Sequence, residues 1–172
     1  MTTSLTSLPD AEAQCQQLAD LIRPALAPHI AHTMLVGIYS GGAWIAERLT
    51  RLLNLPEPAG LIDISFYRDD FAEKGLHPQV RPTRISFDVN DRRVILVDDV
   101  LYTGRTTRAA LNELFDYGRP AAVELAVLAD RGGRQLPIAP DYCVWKLDLP
   151  AETGLTLSLA GQRLSWKVEQ HD

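Results

Sequence analysis

Four apolar residues, Val94-Ile-Leu-Val97, run directly into two aspartates, Asp98-Asp99. The chain continues Val-Leu-Tyr102-Thr103-Gly104-Arg105-Thr106-Thr107, and Thr107, Leu111, Leu114 and Phe115 then recur at helical spacing up to Gly118, a C-cap residue. A short apolar run bounded by turn residues reads as a strand buried on both faces, and such strands belong to parallel sheets covered by helices. The unit is therefore strand, acidic pair, glycine turn, helix. Ligands of open α/β sheets bind at the carboxyl ends of the strands, so this unit points to a fold class and to a place for function.

The rest of the chain repeats the alternation. Ser7-Leu8-Pro9-Asp10 reads as a helix start, and Ala11, Cys15, Leu18, Ala19 and Ile22 carry a helix that Pro24 and Pro28 should end. Met34–Ile38 reads as a buried strand, followed by a turn at Ser40-Gly41-Gly42 and a helix over Ile45, Ala46, Leu49, Leu52 and Leu53, stopped by Asn54 and Pro56. Gly60–Tyr67 is the next strand expected, Arg84–Asp88 another before a turn at Val89-Asn90-Asp91, and Ala121–Leu128 a further one. Strands separated by single helices imply right-handed crossovers. Near the end, Leu155, Leu157 and Leu159 alternate with polar residues, as do Leu164, Trp166 and Val168 across Ala160-Gly161-Gln162, the pattern of an antiparallel hairpin. The expectation is one α/β domain over 1–172, with a loose tail at 1–8 and a C-terminal hairpin region at 146–172. Residues 69–84 lack periodicity and contain Gly75, Pro78 and Pro82, so they read as a functional or mobile loop.

The chemistry of the central unit is specific. Gly104 lets backbone approach a ligand, a helix start offers unpaired N–H groups, and Thr103, Thr106 and Thr107 add hydroxyls, which together suit a monophosphate. Aspartates would repel that anion but suit vicinal hydroxyls or Mg²⁺. A ribose 5-phosphate carries both a diol and a phosphate. An isolated Asp-Asp pair would more often cap the following helix or form a surface pair at a strand end, and a receiver domain, which also ends a strand in paired acids, would need a phospho-acceptor Asp and a distant Lys; the combined strand–Asp-Asp–Thr-Gly-x-Thr–helix unit reverses those odds. The sequence is neither GxxxxGK nor GxGxxG. The net charge of −5 argues against a chain devoted to coating nucleic acid. Cys15 and Cys143 form no zinc or disulfide pattern. With no signal-peptide pattern and no apolar run near the roughly 18 residues that span a bilayer, the expectation is a soluble cytoplasmic protein without membrane partners.

Residues 94–106 resemble the phosphoribosyl-pyrophosphate motif of type I phosphoribosyltransferases. Asp63-Ile-Ser-Phe-Tyr-Arg-Asp-Asp70, Asp99–Thr106, Gly118-Arg-Pro120 and Asp130-Arg-Gly-Gly-Arg-Gln-Leu-Pro-Ile138 resemble, more narrowly, the bifunctional pyrimidine operon regulator/uracil phosphoribosyltransferase family, over about residues 10–145. The resemblance implies a parallel sheet flanked by helices with a small hood. It implies Asp98 and Asp99 on the ribose hydroxyls and Tyr102, Thr103, Gly104, Arg105 and Thr106 on the 5′-phosphate. Tyr39-Ser40-Gly41-Gly42 would bind pyrophosphate, in a loop that carries a cis peptide in such families, and 69–84 would close over the reaction. Arg68 and Arg81 are candidates to meet pyrophosphate, with Arg68 grouped with the two aspartates as catalytic. Arg131 and Arg134 follow a strand end and could face the site; Arg131 and Tyr142 are the base-side candidates, with core packing the alternative for Tyr142.

The implied reaction joins uracil and phosphoribosyl pyrophosphate to give UMP and pyrophosphate, with Mg²⁺ arriving on the substrate and no direct protein ligand assigned to it. Two departures stand out. Relatives usually have a basic residue where Tyr39 stands, and RNA-binding relatives carry a His and an Arg where Gly133 and Ala139 stand. The alternative function is a UMP- or UTP-sensing RNA-binding attenuator with weak or no catalysis, which the acidic balance disfavours. A nucleotide-binding relic is the third. His29, His32, His77 and His171 receive no catalytic role. A homodimer or higher homo-oligomer is expected from the resemblance.

Overall fold

A computed structural model of the chain describes residues 5, 7–65 and 82–171. Most of the 69–84 loop, together with Arg68 and Arg81, lies outside the described residues. Helix α1 spans Ala11–Leu26 and starts where Asp10 caps it, accepting the Glu12 N–H at 3.0 Å. It does not stop at Pro24: the ring sits exposed in the last turn, where the hydrogen bond it deletes frees only a solvent-side carbonyl. A 3₁₀ segment over Ala27–His32 then leads into β1, Thr33–Ile38, which is buried throughout.

Helix α2 follows at Gly41–Leu52, so Gly41 and Gly42 form its first turn rather than the turn before it. Strand β2 is only Gly60–Ile62, shorter than the expected Gly60–Tyr67, and residues 66–67 are not described. The expected strand at Arg84–Asp88 is a single antiparallel bridge between Arg84 and Leu61. Ile85 and Phe87 still pack on the core, so their alternation reported burial without a ladder.

Strand β3 covers Arg93–Leu101, α3 Arg105–Phe115, β4 Ala122–Asp130 and β5 Tyr142–Lys146. Asp116, not Gly118, is the C-cap of α3; Gly118 has positive φ two residues on. The five strands form one parallel sheet in the order β2-β1-β3-β4-β5. The last two strands, β6 at Thr153–Ala160 and β7 at Arg163–Gln170, pair as an antiparallel hairpin.

The pleat of β3 divides the core. Ile95 and Val97 join α1, α2 and the hairpin on one face. Val94 and Leu96 join Ala109, Ala110 and Leu114 of α3 on the other. The hairpin is tied to the α1 side by polar bonds as well. Trp166 Nε1 donates to the buried Gln14 Oε1 at 2.6 Å, and Arg48 grips Glu12 through two hydrogen bonds of 2.8 and 2.9 Å. No described helix is long and apolar enough to cross a membrane.

Candidate active site

Strand β3 does not end at the acids; it continues through them to Leu101. By the same alternation, Asp98 points with Val94 and Leu96 and Asp99 with Ile95 and Val97. Asp98 is 6% exposed. Its Oδ1 accepts the Asp99 N–H at 2.9 Å, and Asp99 Oδ1 accepts the Val100 N–H at 2.8 Å. Each carboxylate thus accepts the N–H of the residue that follows it, which helps to orient it.

Helix α2 begins directly against these acids. The peptide bond Tyr39–Ser40 is cis, as the resemblance implied, and the Tyr39 N–H bonds the carbonyl of Ile62 at 3.0 Å. A methyl group on Gly41 would meet the Asp99 Cγ at 2.6 Å, and one on Gly42 would meet the Asp98 Cα at 3.1 Å. Beneath them, a methyl on Gly37 of β1 would meet the Gly42 carbonyl oxygen at 2.7 Å. Three glycines therefore let the start of α2 sit on β1 and β3 at backbone contact.

On the other side of the acids, Tyr102-Thr103-Gly104 turns the chain into α3. Gly104 takes φ +93° as the N-cap, and Thr103 Oγ1 accepts the Arg105 N–H at 3.2 Å. Residues 130–138 support this turn from behind. Thr103 O accepts N–H groups from Gln135 at 2.9 Å and Leu136 at 3.1 Å, Leu101 O accepts the Arg131 N–H at 3.0 Å, and Arg105 Nε donates to Gln135 Oε1 at 2.9 Å. Arg134 donates to Tyr102 O at 2.6 Å and to Asp130 at 2.7 Å. This supporting role of 130–138 was missed in the sequence reading. Its signal was present in Asp130-Arg-Gly-Gly-Arg, where Gly132 and Gly133 both have positive φ.

The helix starts differ in a telling way. Helix α1, away from the acids, has the usual acidic furnishing, Asp10 as cap and Glu12 in its first turn. Neither α2 nor α3 has an N-cap side chain that hydrogen-bonds or an acidic residue in its first turn, although at α3 the Thr103 hydroxyl takes the Arg105 N–H. Their first N–H groups lack intrahelical acceptors and lie at the positive end of the helix dipole. Two helix starts suited to anions thus flank one pair of carboxylates.

The structure brings Asp98, Asp99, Tyr39–Gly42 and Tyr102–Thr106 together. Thr107 is buried, turned into the core. Arg131 reaches the cluster through Tyr102, its guanidinium carbon 4.0 Å from the ring centroid. Tyr142 does not join them. It opens β5, and its hydroxyl accepts from Arg93 at 3.0 Å and donates to Glu124 at 3.1 Å, both residues near the amino ends of their strands. Burial first, then Glu124, pushes its phenol above the usual range. A cavity of about 450 Å³ on the outer side of α2 includes Tyr39, Trp44 and Leu61 but neither the acids nor the glycine turn.

A parallel sheet with paired acids and two open helix starts at its carboxyl edge is the architecture of a type I phosphoribosyltransferase. Residues 3–158 match the family described as phosphoribosyl transferase domain. The chain is 56% identical over 157 residues, 91% of its length and 90% of the relative's, to Bifunctional protein PyrR of Ralstonia nicotianae. It is 53% identical over 144 residues to Bifunctional protein PyrR of Pseudomonas aeruginosa, covering 83% of this chain and 85% of that one. Among solved structures, purine phosphoribosyltransferase from Pyrococcus horikoshii superposes with a TM-score of 0.59 at 27% identity, over 79% of this chain and 84% of that one. Trypanosoma cruzi hypoxanthine phosphoribosyl transferase gives a TM-score of 0.65 at 24% identity, over 87% and 81%. This chain belongs to the phosphoribosyl transferase domain family, in the group whose curated members carry the name Bifunctional protein PyrR.

Proposed function

We propose that the chain is a uracil phosphoribosyltransferase that joins uracil to phosphoribosyl pyrophosphate, giving UMP and pyrophosphate. The observation that carries this reading is the pair of helix starts without acidic furnishing on either side of Asp98 and Asp99. The substrate has the matching pattern, a diol between two anions. Asp98 and Asp99 accept hydrogen bonds from the ribose hydroxyls. The amides and hydroxyls of Tyr102–Thr106 receive the 5′-phosphate, and the first turn of α2 after Tyr39-Ser40 receives the pyrophosphate. Fixed in this way, the sugar presents C1 to the base while its leaving group stays held, so that binding energy serves orientation.

The residues fit Mg²⁺ in a particular manner. Among the described residues no group of three His, Cys, Asp or Glu side chains converges, so the chain offers no cage of its own. Magnesium is commonly held by one or two carboxylates plus substrate phosphates, and Asp98 and Asp99 supply carboxylates of that kind. When bound, the ion would neutralise the departing pyrophosphate. Of the two base-side candidates from the resemblance, Tyr142 has its hydroxyl engaged by Arg93 and Glu124, and Arg131 is buried against the ring of Tyr102. Arg68 stays a catalytic candidate from the resemblance. The proposal includes one catalytic unit over 1–172, a cytoplasmic location and at least a dimeric assembly.

The word bifunctional in the relatives' name supports a second reading, regulation of pyrimidine genes through RNA by a protein that senses UMP or UTP. The two roles can share one nucleotide site. UMP and pyrophosphate formation by purified protein with Mg²⁺ tests the first; turnover with another base but none with uracil would reassign the substrate. Nucleotide-enhanced, salt-sensitive binding to a pyrimidine-operon leader tests the second, and no binding at low salt would dismiss it.

A further inference from the structure

We infer that Arg131 is a positioning residue: it holds the phosphate loop through the ring of Tyr102 and joins that loop to the turn ahead of the β6–β7 hairpin. This rests on the phosphoribosyl reading above. Arg131 is 5% exposed, and its Nε–H is a buried donor with no hydrogen-bond partner. A buried cation with an orphaned N–H is an expensive way to fill space, since an apolar side chain of similar size would fill it without the desolvation cost. What the charge gains here is the face of Tyr102, at 4.0 Å from the ring centroid, a good cation–π distance.

The same residue is held from other directions. Arg134 donates to the Tyr102 carbonyl at 2.6 Å. Gly133 brings bare backbone to the ring: a methyl there would lie 2.9 Å from Tyr102 Cδ2. Tyr102 is therefore fixed at ring and carbonyl, immediately before Thr103-Gly104-Arg105-Thr106. The amides that receive the terminal phosphate are set before the ligand arrives, which lowers the ordering cost of binding.

Arg131 also reaches the other way. Its Nη2 donates to Pro150 O at 2.9 Å, and that carbonyl accepts the Thr153 N–H at 3.0 Å as β6 begins. One side chain thus links the entry to the hairpin with the phosphate loop, and gives the C-terminal segment a part in the site.

The test measures calorimetric affinity for phosphoribosyl pyrophosphate with Mg²⁺, and steady-state kinetics, on the full chain. Variants are Tyr102→Leu, Tyr102→Phe, Arg131→Met, Arg131→Lys and the Tyr102→Leu/Arg131→Met double. Tyr102→Leu and Arg131→Met should each raise Kd and KM for this substrate about tenfold while kcat changes less. Tyr102→Phe, which keeps the ring, should lose much less than Tyr102→Leu. Arg131→Lys, which keeps charge without a planar face, should fall between wild type and Arg131→Met. The double variant should be no worse than the weaker single by more than about twofold, because the two side chains act as one unit. Losses that multiply in the double variant, Tyr102→Leu binding within twofold of wild type, or Arg131→Lys binding like wild type would each overturn the inference. If circular dichroism shows that Arg131→Met does not fold, the Tyr102 pair and Arg131→Lys decide it. Wild-type protein that binds no phosphoribosyl pyrophosphate would instead overturn the phosphoribosyl reading itself.

Discussion

Replacing Gly37 by alanine tests whether the seat of α2 governs ligand binding. A Cβ on Gly37 would lie 2.7 Å from the Gly42 carbonyl oxygen and 2.8 Å from the Ala43 Cα, where ordinary contact begins at 3.4 Å, so the start of α2 must retreat by about 0.6–0.7 Å. The obstructing atoms are helix backbone and cannot rotate away. Overpacking of this kind costs about 1–3 kcal/mol. For a chain of this size each kcal/mol moves Tm by roughly 2–4 °C, so a fall of about 2–12 °C is expected. The retreat also withdraws the first-turn amides from Asp99. Misplacement by about 1 Å can cost a hundredfold, so roughly tenfold weaker binding of phosphoribosyl pyrophosphate is expected. Gly41→Ala is the contrast. Its methyl would crowd Asp99, at 2.6 Å from Cγ and 2.8 Å from Cβ; the carboxylate can turn at the expense of its 2.8 Å bond to the Val100 N–H, but Cβ stays with the strand, so part of the strain falls on the helix start. It should lose affinity as Gly37→Ala does, with a smaller loss of stability, because one fixed atom rather than a stretch of helix backbone resists the methyl. Scanning calorimetry and titration calorimetry on both variants read the two quantities separately. Unchanged Tm and affinity in Gly37→Ala, or equal destabilisation by Gly41→Ala, would refute the reasoning.

Converting both acids, Asp98→Asn and Asp99→Asn, keeps acceptors for the Asp99 and Val100 N–H groups but removes the charge; affinity for phosphoribosyl pyrophosphate should collapse in titration while the melting curve stays close to wild type. Gln14→Leu removes the acceptor of the buried Trp166 indole, bonded at 2.6 Å. An orphaned buried donor costs about 1–3 kcal/mol, so Tm should fall by roughly 2–12 °C with a change in tryptophan fluorescence. The hydrogen bond from Arg48, with the Leu164 N–H and the Arg48 charge adding to it against burial, holds the Glu12 carboxyl below its ordinary range near 4.5. A depressed carboxylate stabilises the fold above that range and loses the contribution as pH falls through its lowered value. The Tm gap between wild type and Glu12→Gln at neutral pH should therefore close on acidification below about 4.5, and a gap that widens would contradict the ion pair. Burial pushes the Cys15 thiol up to about 12, so it should resist thiol reagents in the native protein and react once unfolded.

What the sequence revealed and what it hid follow one physical division. Burial leaves a composition signal, so Val94–Val97, Met34–Ile38 and the alternating leucines of the hairpin were legible as strands. Backbone pairing leaves none of its own. Ile85 and Phe87 alternate because they pack on the core, yet only Arg84 pairs, while Tyr142–Lys146 is a true strand that is merely half-buried at the sheet edge and escaped notice. Direction is equally silent. Tyr142 is a base-side candidate by resemblance, but whether it opens or closes a strand decides which end of the sheet it serves; it opens one, and its hydroxyl bonds with Arg93 and Glu124. Arg131 and Arg134 could be placed after a strand end, but not divided between ring and carbonyl of Tyr102, because that depends on side-chain reach.

The substitution at Tyr39 takes on a different meaning in this geometry. A basic residue in that loop would add a full charge beside the start of α2. Without one, the proposed pyrophosphate contact would rest more heavily on the helix start, and three features favour that. No acidic residue stands in the first turn of α2, Ser40 makes no side-chain cap, and Gly37, Gly41 and Gly42 remove every methyl that would hold the turn away from β1 and β3. Backbone N–H groups in a site shielded by Asp99 and β3 are preorganised donors, whereas a long cationic side chain must be ordered on each binding event. On the proposed reading, a chain with tyrosine at position 39 would still hold an anion there through main-chain groups. Such binding would depend on glycine at three positions and on the absence of acidic residues from the first turn.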